Sequence, residues 1–392
     1  MSKNTSPKLG TMAVWGGEPR GMWERATQVP VVHSVSFGYK DVDEWLAVAR
    51  GDTSGHIYGR NTNPTVAAFE DKVRVLEGAD AATSFSTGMA AVSGVLHTLL
   101  SPGDRVVSVK DTYGGTTKLF LDFLPSLGIK VELCETGDYA AIEREVMKGC
   151  DVLYLESPTN PTLKIIDLAR FSQCGHQVGA TVVVDNTFAT PINTNPLALG
   201  ADLVLHSATK FLGGHADALG GVVCGSKDLI DRIYHYREIN GATLHPMSAY
   251  LLLRGMKTLH LRIRQQNESA MVIANYLSSH SNVEEVFYPG LDHHPHHEVA
   301  KRQMLGFGGV LSFTLDGGLD RIGKIIPKLN YAHAAANLGA VETVVGPPAT
   351  TSHVENTAEE RAAMGIPEGM IRYSVGIEDT DDLIADLAQA LN

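Results

Sequence analysis

The sequence predicts an α/β protein with a mainly parallel sheet, followed by a smaller α+β domain. From about residue 65, short β-branched segments alternate with helical ones, and this alternation is typical of βαβ units in a sheet covered on both faces. The pattern becomes long and helical over 226–275, and shorter strand-like and helical segments follow. A chain of 392 residues is long enough for two or three domains with full cores.

Three segments follow one another along the chain. Residues 1–60 are rich in Gly, Pro and polar residues, which predicts an irregular arm. Residues 61–250 form the main domain, in which apolar residues at helical spacing predict helices between the strands. Residues 251–392 form a C-terminal domain, and a long helix at about 245–275 joins the two. The predicted strands of the main domain are AATSFST, DRVVSVKD, KVELCE, DVLYLES, TVVVDNT and ADLVLHSAT.

Composition excludes several classes of protein. The net charge of −12 makes nucleic acid an unfavourable partner, and the apolar stretches are too short for a membrane helix. The N-terminus has no hydrophobic signal core, so we expect a cytoplasmic protein. The cysteines form no CxxC pair, which favours free thiols over a zinc site or disulfides. They are Cys134, Cys150, Cys174 and Cys224.

Polar side chains follow the predicted strands, where ligands bind in an open α/β sheet. Asp185, Ser207, Thr209 and Lys210 end two of these strands, and Thr87-Gly88-Met89 begins a helix. Each has an ordinary interpretation alone, as a turn residue, a cap or a solvated charge. Together they supply an anion site, a carboxylate for a ring cation and an amine for a Schiff base. Pyridoxal 5′-phosphate (PLP) carries all three matching groups, so the residues predict a PLP site.

Other cofactors have weaker support. No GxGxxG begins a helix, so the dinucleotide fingerprint is missing. The segment Gly318–Lys324 imitates a P-loop, but Ile325 stands where Ser or Thr would hold magnesium, which favours a surface helix start. The segment Asp292–His297 is rich in histidine, yet neighbouring residues around a proline converge poorly on one ion. We therefore predict no metal.

Motifs over nearly the whole chain resemble the Cys/Met-metabolism PLP-dependent enzymes, the cystathionine γ-synthase and γ-lyase group of fold type I. The resemblance implies a mainly parallel seven-stranded sheet and PLP as cofactor. The motifs are Tyr58-Gly-Arg60-x-x-Asn63-Pro64-Thr65, Thr87-Gly88-Met89-Ala90, Asp111-x-Tyr113-Gly114-Gly115-Thr116, Glu156-Ser157-Pro158-x-Asn160-Pro161, Val184-Asp185-Asn186-Thr187, Ser207-Ala-Thr209-Lys210-Phe-x-Gly213-Gly214-His215 and Arg372-x-Ser374-Val-Gly376-x-Glu378-Asp379.

The resemblance also implies roles at the cofactor. Lys210 would hold the PLP aldehyde as a Schiff base and move protons between the α and β carbons. Asp185 would keep the pyridine nitrogen protonated, Asn160 would contact the ring, and Tyr113 would stack on it and act as an acid or base. The residues implied to bind the phosphate are Gly88, Met89, Ser207 and Thr209.

Further implied roles concern the substrate and the neighbouring subunit. Arg372 would bind the α-carboxylate of a small amino-acid substrate, with Asn337 and Lys118 also on the substrate side. Tyr58 and Arg60 in the arm would reach the PLP phosphate of a neighbouring subunit. The resemblance therefore implies a homo-oligomer with a shared active site, expected to be a dimer of dimers.

Departures from the family pattern bear on the reaction. Members that handle cystathionine usually have Glu where this chain has Ala336, and Lys118 stands where the family has Arg. The methionine γ-lyase branch has Cys where this chain has Gly115, and the segment Gly346–His353 also departs from its usual form.

These departures favour γ-replacement on an O-acyl-L-homoserine-type amino acid, through a vinylglycine ketimine captured by a thiol, sulfide or carbon nucleophile. The alternatives are γ-elimination by a carbon–sulfur lyase and a PLP-binding protein without turnover. The acyl group, the nucleophile and the pathway stay open.

Overall fold

The computed structural model describes residues 7–18, 26–354 and 356–392. Within them, the larger of two sheets contains seven strands. They are β1 (Ala81–Phe85), β2 (Arg105–Val109), β3 (Lys130–Cys134), β4 (Val152–Glu156), β5 (Thr181–Asp185), β6 (Leu203–Ser207) and β7 (Gly221–Gly225). Their order is β1-β7-β6-β5-β4-β2-β3, and β2 to β6 are joined by parallel pairings. The predicted α/β fold with a mainly parallel sheet is confirmed.

Strand β7 is the one strand of this sheet that the sequence pattern did not predict. It runs antiparallel between β1 and β6 and offers only three apolar residues between two glycines. Gly221 is needed because a Cβ there would lie 2.2 Å from the carbonyl oxygen of Thr87. Glycine is thus required at this position because the strand packs closely against the start of the helix that follows β1.

Helices cover both faces of the large sheet. Leu153 and Val182 pack on one face in a core with the helices at Tyr139–Val146 and Leu168–Gln177. Tyr154 and Val183 pack on the other face with the helices at Gly88–Leu99 and Lys227–Asn240. A π turn spans Leu119–Phe123 and a 3₁₀ turn spans Leu197–Leu199. The described helices up to residue 240 are α1 (Leu9–Trp15), α2 (Val42–Ala49), α3 (Pro64–Glu77), α4 (Gly88–Leu99), α5 (Gly114–Lys118), α6 (Leu124–Ser126), α7 (Tyr139–Val146), α8 (Leu168–Gln177), α9 (Thr190–Asn193) and α10 (Lys227–Asn240).

The C-terminal part forms the second, smaller sheet that the sequence predicts. Its strands are β8 (Glu285–Phe287), β9 (Val310–Thr314), β10 (Ala332–Ala334), β11 (Thr343–Gly346) and β12 (Met370–Ser374), in the order β10-β11-β12-β9-β8. Its helices are α11 (Pro246–Met256), α12 (Leu259–Ser278), α13 (His297–Gln303), α14 (Gly318–Ile325), α15 (Ala358–Ala363) and α16 (Thr380–Leu391), with 3₁₀ turns at Ile326–Lys328 and Pro348–Thr350. The domain limits 1–60, 61–250 and 251–392 stay predictions.

The long helix predicted at about 245–275 is two helices, α11 and α12. Gly255 packs so closely that a Cβ there would lie 2.0 Å from the carbonyl oxygen of Gly213. The buried Arg262 donates hydrogen bonds to the carbonyl oxygens of Gly255 and Phe211, at 3.0 and 2.8 Å. The bond to Gly255 satisfies a carbonyl group at the end of α11, so the chain can turn before α12 begins.

The predicted irregular arm also contains two helices in its described part. Helix α2 begins where the side chain of Asp41 accepts a hydrogen bond from the backbone of Glu44, at 2.8 Å. Helix α1 is held by the buried Lys72, whose Nζ donates to the carbonyl oxygen of Ala13 at 2.9 Å. Short-range capping and one long-range contact thus give helices where composition alone predicts none.

Of the helices in the described part of the chain, none combines the length and the apolar character that crossing a bilayer requires. The cytoplasmic location stays a prediction. Gly318 begins helix α14, as the surface-helix interpretation of the P-loop-like segment expects. In the histidine-rich segment, His294 is buried and its Nδ1 accepts a hydrogen bond from the backbone of His296, at 3.2 Å. Among the described residues, His, Cys, Asp and Glu side chains form no group of three suited to a metal ion.

Candidate active site

A cavity of about 260 Å³ opens at the carboxyl ends of β4, β5 and β6. One wall is made by these strand ends and by the start of α4. The other wall is made by residues of the C-terminal part, namely Ala336, Leu338, Thr351, Ser352 and Arg372. Parallel strands bring their carboxyl ends to one edge of the sheet, which is where ligands bind in this architecture. The cavity therefore lies where the sequence predicts the site.

The start of helix α4 forms an anion cradle. Thr87 caps the helix by accepting a hydrogen bond from Ala90 N, at 3.0 Å. Gly88 permits close approach of β6, because a Cβ there would lie 2.7 Å from the Cβ of Ser207. The backbone N–H of Ser207 in turn donates to Thr187 Oγ1, at 2.9 Å. Backbone N–H groups at a helix start and nearby hydroxyls are donors that suit a phosphate.

Two buried carboxylates stand side by side in the cavity. Glu156 and Asp185 are register partners at the ends of β4 and β5. Burial raises the pKa of Asp185, and burial and the charge of Asp185 raise that of Glu156 well above its usual range. Within the described residues, no Lys or Arg forms an ion pair with Asp185. A protonated ring nitrogen would supply the missing positive charge.

Both carboxylates also accept backbone hydrogen bonds. Asp185 Oδ1 accepts from Thr187 N at 3.0 Å, and Glu156 Oε2 accepts from Tyr113 N at 2.8 Å. A local turn thus orients Asp185, whereas a contact from the segment after β2 orients Glu156.

Lys210 and Arg372 meet across the cavity through Asn337. Lys210 Nζ donates to Asn337 Oδ1 at 2.8 Å, and Arg372 Nη2 donates to the carbonyl oxygen of Asn337 at 2.9 Å. Arg372 Nη1 also donates to Asn160 Oδ1, at 3.1 Å. Burial, with a smaller effect of Arg372, lowers the pKa of Lys210 to about 8, and burial lowers that of Arg372 to about 10. A depressed lysine pKa favours the neutral amine, which is the nucleophilic form.

The match to a family model covers residues 10–392, and the model is described as Cys/Met metabolism PLP-dependent enzyme. The chain belongs to this family. It resembles "Cystathionine gamma-synthase 1, chloroplastic" of Arabidopsis thaliana, with 42% identity over 97% of this chain and 68% of the relative. It also resembles the L-methionine gamma-lyase of Fusobacterium nucleatum subsp. polymorphum, with 39% identity over 98% of both chains. The O-succinylhomoserine sulfhydrylase of Pseudomonas aeruginosa is 38% identical over 91% of this chain and 88% of the relative.

A solved structure gives the same family. Cystathionine gamma synthase from Xanthomonas oryzae pv. oryzae, crystallised with aminoacrylate and cysteine, superposes with a TM-score of 0.93 and 36% identity, over 99% of this chain and 98% of that one. The protein is therefore a PLP-dependent enzyme of fold type I. The donor set fits PLP, because the cradle at α4 matches the phosphate, Asp185 the ring nitrogen and Lys210 the aldehyde.

Most site residues predicted from the sequence of this PLP-dependent enzyme lie together. Asn337 contacts Lys210, whereas three other predicted residues lie outside the cavity. Lys118 Nζ lies 3.5 Å from Asp122 on an exposed turn. The guanidinium of Arg60 lies 5.6 Å from the ring centre of Tyr58, and Arg60 donates to the carbonyl oxygen of Glu238. The predicted residues that line the cavity are Gly88, Met89, Tyr113, Asn160, Asp185, Ser207, Thr209, Lys210 and Arg372.

Sequence reasoning left Glu156 and Thr187 out of the predicted site. Both line the cavity of the PLP-dependent enzyme. Glu156 ends a predicted strand beside the one that ends in Asp185, and this position is the signal that could have included it. Thr187 follows Asp185 by two positions at the end of a predicted strand, so it carries a similar signal, but its contact with Ser207 appears only in the folded chain.

Proposed function

We propose that this PLP-dependent enzyme catalyses γ-replacement on an O-acyl-L-homoserine-type amino acid. The observation that carries the proposal is the cavity wall around Ala336. Leu338, Thr351 and Ser352 line the same wall, and in the described residues Glu156 and Asp185 are the cavity's only carboxylates. Both are buried at the opposite, strand-end wall. A second amino group such as that of cystathionine has no counter-charge near Ala336, whereas an acyl ester or an incoming thiol needs none.

A second observation favours replacement over the methionine γ-lyase reaction. The structure packs Gly115 against Met89, and a Cβ at position 115 would lie 2.9 Å from Met89 Sδ and 3.0 Å from Tyr113 Cε1. The cysteine of the lyase branch has no room here unless Met89 moves.

Three residues of the cavity each have a separate role in the proposed reaction. Bound PLP supplies an electron sink that stabilises negative charge on the substrate carbon from which a proton leaves. Arg372 is buried and held on two sides, so its planar fork is already oriented for an α-carboxylate. Lys210, as a neutral amine, can take the proton at the α carbon. Tyr113 is 45% exposed at the mouth of the cavity, where it can donate a proton to the leaving acyl group.

We further propose that the active site is shared between subunits. Tyr58 and Arg60 lie outside the cavity of their own chain, and Tyr58 is 43% exposed. Their absence from their own cavity supports the proposal that they serve a second copy of the chain, as the family resemblance implies. Arg60→Ala should weaken PLP binding without changing the unfolding temperature of the PLP-free protein. A cofactor-loaded, fully active monomer in analytical ultracentrifugation would contradict the shared site.

The test of the reaction is a panel of substrates and nucleophiles read by mass spectrometry. O-acetyl- and O-succinyl-L-homoserine are each incubated with sulfide, methanethiol, cysteine, a stabilised carbanion or buffer alone. We expect new γ-substituted amino acids that require the nucleophile. Ammonia and 2-oxobutanoate in every incubation, unchanged by the nucleophile, would instead show γ-elimination, the second candidate that the lyase relative supports. No product from any pair would support a PLP-binding protein without turnover.

A further inference from the structure

The part of the arm that carries Tyr58 and Arg60 rests on the last turn of helix α10. The side chain of Arg60 donates a hydrogen bond to the carbonyl oxygen of Glu238. The side chain of the next residue, Asn61, donates to the carboxylate of Glu238. A guanidinium has five N–H donors, so Arg60 keeps others for an anion. The segment is therefore attached to α10, outside the cavity of its own chain.

A tight turn joins Tyr58 to Asn61. The backbone N–H groups of Asn61 and Thr62 both donate to the carbonyl oxygen of Tyr58, at 2.9 and 3.1 Å. Arg60 lies inside this turn. Because the turn is closed by its own backbone, a contact that holds Asn61 also limits the movement of Tyr58 and Arg60.

Arg237, in the last turn of α10, makes such a contact from the interior of the protein. Its side chain is 3% exposed, and its Nη2 donates to the carbonyl oxygen of Asn61. Its Nη1 donates to Glu70 Oε1 at 3.2 Å and to the carbonyl oxygen of Ser84 at 3.1 Å. Glu70 also accepts from the backbone N–H and the hydroxyl of Ser84, both at 2.7 Å. One buried guanidinium thus joins the arm to helix α3 and strand β1.

The ion pair of Arg237 and Glu70 takes no part in the chemistry at the cavity. Neither is among the described residues that line it. A buried ion pair is weak evidence for stability, because apolar side chains of similar volume often serve as well. A planar guanidinium can instead direct several hydrogen bonds at once. At Arg237 these bonds reach three separate segments, and one of the three is the turn that carries Arg60.

We propose that Arg237 is a positioning residue that holds the Tyr58–Asn61 turn in the orientation in which Tyr58 and Arg60 reach the PLP phosphate of a second copy of the chain. The proposal rests on the shared site proposed above. It gives a function to a buried arginine that acts on the cavity of the neighbouring subunit and not on its own.

The first test measures PLP binding by the full-length protein after PLP has been removed. The dissociation constant is read from the visible absorbance of the Schiff base. A hydrogen bond to a charged group changes a binding constant by about tenfold or more, so Arg237→Met should weaken PLP binding by about tenfold. Arg232→Met removes an exposed arginine of the same helix and should bind PLP as the parent does. An unchanged dissociation constant in Arg237→Met would overturn the proposal.

Hybrid oligomers distinguish positioning of the turn from a merely structural role. Arg237→Met is co-expressed with Lys210→Ala, each with its own affinity tag, and oligomers that carry both tags are purified. Lys210→Ala subunits form no Schiff base, so the absorbance reports only sites whose Lys210 belongs to an Arg237→Met subunit. Where the neighbour is a Lys210→Ala subunit, it supplies a native turn, so a fraction of these sites should bind PLP with the parent's affinity. Uniformly weak binding would overturn the proposal, because the damage would then lie within the Arg237→Met subunit.

The same hybrid made with Arg60→Ala locates a failure. It should also contain sites of the parent's affinity, because the neighbour again supplies a native Arg60. If this hybrid binds PLP only weakly, the site is not shared, and the proposal for Arg237 is overturned with it. If it recovers and the Arg237→Met hybrid does not, the shared site stands and Arg237 alone has been misassigned.

A second variant guards against misfolding, because Arg237→Met removes the cation that pairs with Glu70. The double variant Glu70→Gln, Arg237→Met carries no charge at either position, and the amide oxygen of the glutamine can still accept from Ser84. Without PLP it should unfold at a temperature near that of the parent, and it should still bind PLP weakly. Recovery of PLP affinity in the double variant would overturn the proposal, since the loss would then come from the unpaired Glu70.

Discussion

The two walls of the cavity are built in different ways. On the cofactor wall, Glu156, Asp185 and Ser207 end neighbouring strands, and sheet register sets their spacing. On the substrate wall, Ala336 lies between short elements, and the side chain of Arg372, on β12, donates hydrogen bonds to the side chain of Asn160 and to the backbone of Asn337. The first wall is set by neighbouring strands of one sheet, and the second by separate segments that polar contacts join. The cofactor wall therefore carries the groups that fit PLP, and we expect the substrate wall to select the reaction.

The largest effect is expected on the cofactor wall. Lys210→Ala removes the only amine that lines the cavity in the described residues, so visible absorbance of a Schiff base and borohydride-trapped cofactor should both disappear. Turnover should fall by at least about 10²–10⁴-fold, because a general base is lost as well. The measurements are absorbance, peptide mapping after reduction, and steady-state rates. Lys227→Ala, at a side chain that is 72% exposed and outside the cavity, is the control. An adduct that persists at another lysine in Lys210→Ala would refute the assignment.

A smaller effect is expected where the two walls meet. Arg372→Lys keeps a positive charge but loses the fork, so KM for the amino-acid substrate should rise while kcat changes less. A hydrogen bond to a charged group is worth about 1.5–3 kcal/mol, which is roughly 10–150-fold in KM. Arg302→Lys, at a side chain that is 60% exposed and paired with Asp167, should leave KM unchanged. A fall in kcat with KM unchanged would contradict carboxylate binding by Arg372.

A substitution on the substrate wall should change the substrate specificity and leave PLP binding intact. Ala336→Glu adds a carboxylate at an exposed position beside the cavity, which should favour cystathionine over O-acyl-homoserine. A partly exposed ion pair contributes about 0.5–1 kcal/mol, or about two- to fivefold in the ratio of kcat/KM values. Ala336→Gln has a similar size without the charge and is the matched control. Equal ratios in the two variants would show that charge at position 336 does not select the substrate.

The same difference between the walls explains what could be predicted from the sequence. Asp185 and Lys210 follow β-branched strands, so their meeting place follows from the rule that parallel strands share one edge. Asn337 and Lys210 are 127 positions apart, and their contact depends on how the two sheets pack. No local sequence pattern therefore predicts this contact. Strand β7 and the break between α11 and α12 escaped prediction for a related reason. Both depend on glycines that permit close backbone contacts, and sequence spacing does not show which neighbour comes close.

The smallest effect concerns stability and its dependence on pH. The pKa of Glu156 is raised in the folded protein above the value of 4.5 that applies to the unfolded chain, first by burial and then by Asp185. A folded carboxyl that holds its proton more tightly stabilises the protein at low pH, and this contribution is lost as pH rises above 4.5 toward the raised pKa. Gln carries no charge and still offers an oxygen to Tyr113 N. Glu156→Gln should therefore stabilise the PLP-free protein near neutral pH and have little effect near pH 4.

Thermal unfolding of the PLP-free protein between pH 4 and 8 measures this effect. For a protein of this size, each kcal/mol changes the midpoint by about 2–4 °C or less, so we expect a gain of a few degrees at neutral pH. Glu156→Ala is the control, because it removes the charge and also the acceptor for Tyr113, and its gain should be smaller. A midpoint that falls at neutral pH in Glu156→Gln would mean that the ionised carboxylate stabilises the loop of Tyr113. The negative charge of Glu156 would then contribute to the stability of the fold as well as to the site.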